Sequence, residues 1–258
     1  MRCAEGAAPS AALERGRVLD PNALGQALRQ LIARAEITST RALIAASDAI
    51  ASFRVLTFPN QATEAEIDTA ITGELNLGSD QMSIRHFEVL AGRGERTIFA
   101  VVWNRGQIQA ISAAARQAGL EPAAVELKSL CVARALTEDS CIFLDMSVDP
   151  CEAVLIEERV PRICHEFKIA SGADLALAVA NGLKPVLGFH RRSGSAGFGP
   201  DSPILVRADQ ALPSLMASRV EELTGHAFRP VPQPARIDPD VRYGPFLTCL
   251  GLVMRRSA

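Results

Sequence analysis

An α/β fold is what these 258 residues predict, and two observations carry the expectation. Short apolar, strand-like runs alternate with helical stretches along the chain without a tandem repeat, the pattern of mixed layers. The middle of the chain, Ser140 to Ala170, holds three consecutive strand candidates, SCIFLDMS, CEAVLIEE and PRICHEFKIA. Turn residues at Asp149-Pro150 and Arg159-Val160-Pro161 separate them, so they read as a meander.

The remaining elements follow in order. Residues 1–17 read as a loose tail. Asp20 caps a helix with Pro21 at its first position, and Leu24, Leu28, Leu31 and Ile32 recur at helical spacing. Two strands follow, RALIAAS at 41–47 and ASFRVLTFP at 51–59. Thr63 and Glu66 form a capping box for a helix with Ile67, Ala70, Ile71 and Leu75 on one side. SIRHFEVLA and RTIFAVVWN, separated by Gly92 and Gly94, predict a hairpin. A helix over 107–118 ends before Gly119, EPAAVEL gives a strand, and SLCVARAL a helix. After Ser171-Gly172 a helix is expected from Asp174 to about Asn181, and HRRSGSAGFGPDS at 190–202 reads as a loop. SPILVR is a buried strand, a helix spans 213–223, PVPQPARIDPD is an extended connector, and GPFLTCLGLVM a last helix.

Composition excludes several function classes. The net charge is -2 and aromatic residues make up 5%, so neither a basic surface nor a base-stacking platform points to nucleic acid. No run reaches the ~20 apolar residues of a membrane span, and the start lacks the apolar region of a signal peptide, so a cytoplasmic location is expected. Cys3, Cys131, Cys141, Cys151, Cys164 and Cys249 show no C-x-x-C pair, and several sit in apolar runs as small buried hydrophobes do. His86, His165, His190 and His226 form no ligand pair, and neither a G-x-x-x-x-G-K-[ST] loop nor a G-x-S-x-G elbow is present.

An ordered set of segments resembles the PilM family, the actin-like proteins of type IV pilus assembly. RALIAASDAIASFRVLTFP matches a strand pair with Arg54 and Pro59 in place, and IRHFEVLAG the strand after an acidic helix. QAGLEPAAVELKSLCVARAL, Gln117 to Leu136, is the most specific match. IFLDMSVDPCEAVLIEERVPRICHEFKIASG, SPILVRADQALPSLMASRVEELTGHAFRPV and YGPFLTCLGLVMRR complete the order from Val18 to Arg256. The resemblance implies an α/β, actin-like (ribonuclease H-like) fold lacking the first phosphate-loop hairpin and most of one subdomain. It divides the chain into a disordered tail at 1–17 and a partial first lobe from 18–49 and 122–139. A small inserted α+β subdomain at 50–121, a reduced second lobe at 140–243 and a C-terminal helix at 244–258 returning to the first lobe complete the division.

The same resemblance locates a nucleotide site and finds it altered. Actin-like ATPases approach phosphates with backbone N–H groups of Gly-rich turns, and an Asp at a strand end organises magnesium. Asp145 matches that Asp and Gly172 one of a later glycine pair; these two are the candidate cofactor-binding residues. Their plainer readings are a turn-capping carboxylate and a strand-to-helix turn. Ser147 stands where the second loop has Gly, Arg207-Ala208 where the adenosine-binding glycines are expected, and the first loop has no counterpart. The expectation is therefore a non-enzyme without catalytic or metal residues and without cofactor. As a scaffold it would dock the cytoplasmic N-terminal segment of an inner-membrane PilN-type protein beside the insertion, touching the membrane only through that partner, with oligomerisation open. The alternative is an actin-like ATPase or kinase relative retaining ATP and magnesium; a third option is the actin-like domain of a type II secretion protein. Three structural expectations follow. The meander lies beside Ile204–Val206; Phe87–Leu90 does not pair with Ile142–Leu144; and Asp145 ends its strand facing a cleft, on the face of Phe143 and opposite Leu144.

Overall fold

The computed structural model describes residues 4–74, 81–91, 94–193, 197–233 and 243–255. The chain forms two compact units, Met1–Lys128 and Ser129–Ala258.

The first unit opens with a correction. Within the segment expected to be loose, β1 (Leu13–Glu14) pairs antiparallel with β2 (Arg17–Val18). Arg15 and Gly16 both take positive φ, 46° and 74°, as a two-residue hairpin turn requires. The Gln107 side-chain amide fixes this hairpin by accepting from the Val18 N–H at 2.9 Å. The helix α1 (Pro21–Arg34) starts as read: the Asp20 carboxylate accepts from the N–H groups of Asn22 and Ala23 at 2.9 and 3.0 Å. Then come β3 (Arg41–Ala46), β4 (Ala51–Pro59) and α2 (Glu64–Glu74). The capping box closes at α2, where Glu66 accepts from the Thr63 N–H at 2.7 Å and the Glu66 N–H donates to Thr63 Oγ1 at 3.3 Å. The expected hairpin is β5 (Met82–Ala91) with β6 (Glu95–Asn104), followed by α3 (Arg105–Gln117) and β7 (Glu121–Leu127). Leu75, which the sequence pattern assigns to the α2 stripe, and Gly92 lie outside the described residues.

These strands make two sheets. β4, β6 and β5 form an antiparallel sheet in that order, with Ile84, Ile98, Ala100, Leu56 and Phe58 packed on Ile67 and Ile71 of α2. Phe87 pairs with Phe99, so β5 belongs to this sheet and not to the strand at Ile142–Leu144. β3 and β7 form a separate two-stranded parallel sheet. α1 and α3 approach closely at Gly25, where a Cβ would stand 2.5 Å from Gln117 Cβ and 2.8 Å from the Ala114 carbonyl oxygen.

The second unit begins at α4 (Lys128–Ala135) and the predicted meander, β8 (Cys141–Asp145), β9 (Cys151–Glu157) and β10 (Val160–Phe167). Next is α5 (Leu175–Ser193), which runs further than the sequence pattern predicts. The helix passes Asn181 and Pro185, and it takes in His190, which that pattern assigns to a loop. Pro185 removes one helical hydrogen bond, but Leu183, Val186 and Leu187 continue a buried stripe that holds the helix on the sheet. The unit closes with β11 (Ile204–Arg207), α6 (Ser214–Thr224), β12 (Phe228–Pro230) and α7 (Leu247–Val253). Most of the connector read at 230–240 lies outside the described residues, as do 256–258.

Sheet order is β10-β9-β8-β11-β12, with β8, β11 and β12 parallel and the meander antiparallel. The expected neighbour of the meander is thus in place. β8 is buried on both faces, as a central strand must be. Ile142 and Leu144 face a core with Val179, Leu183 and Val220; Cys141 and Phe143 face another with Val132, Leu205 and Leu247.

Candidate functional site

The register of two strands builds the site. β8 and β11 run parallel with Ile142 beside Ile204, and four residues of pairing bring Asp145 beside Arg207 at their carboxyl ends. In open α/β sheets that end is where ligands bind, since loops diverge there and leave backbone groups unspent. Asp145 stands at its strand end on the side of Phe143, as the alternation predicts, and is completely buried.

Its carboxylate is already engaged. Arg207 Nε donates to Oδ1 at 3.0 Å and Nη2 donates to Oδ2, a two-pronged pair across adjacent strands. Ser147 adds two donors to Oδ1, its N–H at 3.1 Å and its hydroxyl at 2.6 Å. The guanidinium carbon lies 6.0 Å from the centre of the Phe143 ring, and the Arg207 side chain is 11% exposed. A negative charge at Asp145 also acts on its neighbour: burial first, then the charges of Asp145 and Asp149, push the Cys151 thiol up from its ordinary value.

The two departures from the Gly-rich pattern therefore act together. Ser147 turns its N–H back onto Asp145, whereas a phosphate loop aims such groups outward. Arg207 sets a positive charge directly against this carboxylate. Ala208 follows Arg207 beyond the end of β11. Gly172 takes φ +78° in the turn between β10 and α5, and a Cβ added there would meet nothing within 4 Å. Its positive φ, and not crowding, explains the glycine. The pairing of β8 with β9 and β9 with β10 puts it at the same end of the sheet as Asp145, with β9 intervening. Among the described residues, no group of three or more His, Cys, Asp or Glu could hold a metal ion.

Sequence reasoning names Asp145, Ser147 and Arg207 one by one but misses that they bond to one another. It misses two further charged clusters entirely. Glu157, 1% exposed, is held by Arg162 Nε and His190 Nδ1, each at 3.0 Å, at the opposite end of β9. His86 on β5 faces Glu64 at 2.9 Å and Asp68 at 3.4 Å on α2. Scattered positions give no signal for either, because only tertiary pairing brings them together.

No protein-family model matches the chain, and no curated protein matches it. Solved structures do. The structure described as the PilM-PilN type IV pilus biogenesis complex aligns with 95% of this chain and 88% of its own, at 18% identity and a TM-score of 0.65. The cytoplasmic domain of EpsL, an inner-membrane component of the type II secretion system of Vibrio cholerae, aligns with 90% and 82% at 11% identity and a TM-score of 0.51. At these identities the likeness is one of fold, and the resemblance to PilM read in the sequence is borne out as that: the chain has the actin-like α/β fold.

Proposed function

We propose that this chain is a PilM-like scaffold of type IV pilus assembly, or of a related competence or secretion machinery, without ATPase activity. The observation that carries the reading is the seating of Arg207 on Asp145. A carboxylate neutralised by a fixed guanidinium and turned upon by Ser147 cannot organise a magnesium ion without losing that pair. With nucleotide chemistry closed at that end of the sheet, what remains of the fold is its surfaces.

The scaffold reading takes a PilN-type inner-membrane protein as partner, on the likeness to a PilM whose structure was solved as a complex with PilN. The chain then works in the cytoplasm and reaches the membrane through that partner; among the described residues no helix is long and apolar enough to cross it. An extended cytoplasmic segment can be held by strand addition and apolar pockets. Two calorimetric titrations test the proposal. Magnesium-ATP should give no heat, and the cytoplasmic N-terminal segment of a PilN-type protein from the same organism should bind. Micromolar nucleotide binding would favour the ATPase alternative, and loss of ATP hydrolysis on Asp145→Ala would establish it.

A further inference from the structure

His86 is held from both sides. It stands on β5 opposite Ala100 of β6, on the sheet face that packs against α2. Its Nε2 lies 2.9 Å from Glu64 Oε2, and its Nδ1 lies 3.4 Å from Asp68 Oδ1. The two carboxylates are one helical turn apart on α2. The imidazole is 19% exposed, so water reaches little of it.

Two carboxylates on two ring nitrogens ask for two N–H donors. An ionised carboxylate only accepts, and a neutral imidazole carries one N–H and one lone pair. The imidazolium alone donates to Glu64 and Asp68 together. On losing its proton the ring keeps the shorter contact, with Glu64, and turns a lone pair toward Asp68. The neighbouring charges are engaged elsewhere. Arg96 of β6 stands 3.7 Å from Glu64 and 3.8 Å from Glu88, and Arg54 of β4 donates to the Phe53 carbonyl at 2.8 Å. Arg85 alternates to the other face of β5.

We propose that His86 is a pH-sensitive clasp between α2 and β5, closed by the imidazolium and released on the Asp68 side when the ring is neutral. Asp68 and His86 line an open cleft of about 700 Å³ together with Thr72, Ile84 and Arg85. The proton thus sets how α2 stands over that cleft. Imidazole is the side chain that changes charge between about pH 5 and 8, where carboxylates are ordinarily ionised. The clasp contributes at the acid end of that window, and its contribution is lost as pH rises. It operates within the first unit and does not depend on the scaffold reading.

Hydrogen exchange on the full chain tests the clasp, followed in α2 at about pH 5.5 and about pH 8 and corrected for the intrinsic rates. The amides of Glu64–Glu74 should open about two- to fivefold more readily at the higher pH, the span of an exposed ion pair. His86→Gln should remove that difference, because glutamine does not titrate. Asp68→Asn should flatten it too, since an amide accepts from the imidazolium and donates to the neutral ring. Asp68 is 61% exposed, so this variant folds and carries the test even where His86→Gln does not. His165, His190 and His226 are present in every variant, and the comparison cancels their titration. No pH effect in the parent overturns the clasp, as does an equal effect in the parent and His86→Gln. A pH effect that survives in Asp68→Asn also overturns it, because the ring would then act without Asp68.

Discussion

Arg207 carries more of the argument than any other residue, and its role is half legible in the sequence. The sequence shows a cation where glycine is expected; it cannot show the partner, because that depends on the register of β8 with β11 across 62 positions of chain. From sequence, Asp145→Ala is expected to leave docking untouched. The geometry adds a cost to stability, since truncation strands Arg207 in a largely buried place. Breaking one partner of such a pair costs about 3–5 kcal/mol, whereas replacing both with apolar residues is often neutral. Asp145→Ala and Arg207→Ala should therefore each destabilise by about that amount in urea unfolding, and Asp145→Leu with Arg207→Met should recover most of it. A loss in the double variant equal to the sum of the two single losses would show that the pair contributes no coupling. A second expectation concerns Cys141, whose burial, aided by the charge of Glu138, pushes its thiol up to about 12. A raised value keeps the thiol protonated in the folded chain, so stability is complete below the ordinary thiol range and declines as pH rises through about 12. Iodoacetamide at about pH 8.5 should accordingly modify exposed Cys249 and spare Cys141, read by mass spectrometry; equal rates would contradict the burial.

At the scale of elements, local signals are legible and packing is not. Asp20, Thr63 with Glu66, and the turn before Gly119 sit where capping chemistry puts them, because each is settled within a few residues. The sequence pattern cuts α5 short because its continuation past Pro185 is decided by distant partners, the strands on which Val186 and Leu187 rest. The hairpin at β1 and β2 escapes notice because two residues per strand leave no periodicity to read. The α2 cap has a pH signature: the backbone N–H of Thr63, then its hydroxyl, hold the Glu66 carboxyl below its ordinary value. A lowered value means the contribution is present above the ordinary carboxyl range and lost as pH falls through the folded value. Helicity by circular dichroism should drop at lower pH in the parent than an ordinary carboxyl value predicts. Thr63→Ala, which keeps the backbone N–H and loses the hydroxyl, should narrow that difference without abolishing it, the lost cap costing about 1 kcal/mol near neutrality. Close approaches make a harder test. Gly251 of α7 lies against α4 so tightly that a Cβ would stand 1.7 Å from the Cys131 carbonyl oxygen, which is backbone and cannot swing away. Gly251→Ala should therefore destabilise by about 1–3 kcal/mol or more, while Gly73→Ala, with nothing nearby, should be neutral or stabilising.

For the whole molecule, the likeness of fold is legible because the order of segments survives where single motifs have drifted; 18% identity over 95% of the chain leaves order as the main signal. What order cannot convey is how unevenly the two units are built. The second encloses two cores around a five-stranded sheet whose central strand is wholly buried. The first divides its described strands between a three-stranded sheet backed by α2 and a parallel pair. Backbone hydrogen bonds exchange through the cheapest opening available to them, and the cost of opening rises with the apolar contacts that must break. Releasing β8 would expose Ile142, Phe143 and Leu144, each at most 1% exposed, on both faces at once. Releasing β3 gives up far less, since Leu43 is already 41% exposed and its neighbours are half-buried. Native-state hydrogen exchange of the chain alone should therefore find the amides of β8 and β11 opening only with the global transition. Those of β3 should exchange at least about a hundredfold faster, a difference of roughly 2.7 kcal/mol or more. The comparison is internal to one chain, so it is independent of total stability. If β3 were as protected as β8, the exposure of its apolar residues would not be what sets the cost of opening this part of the chain.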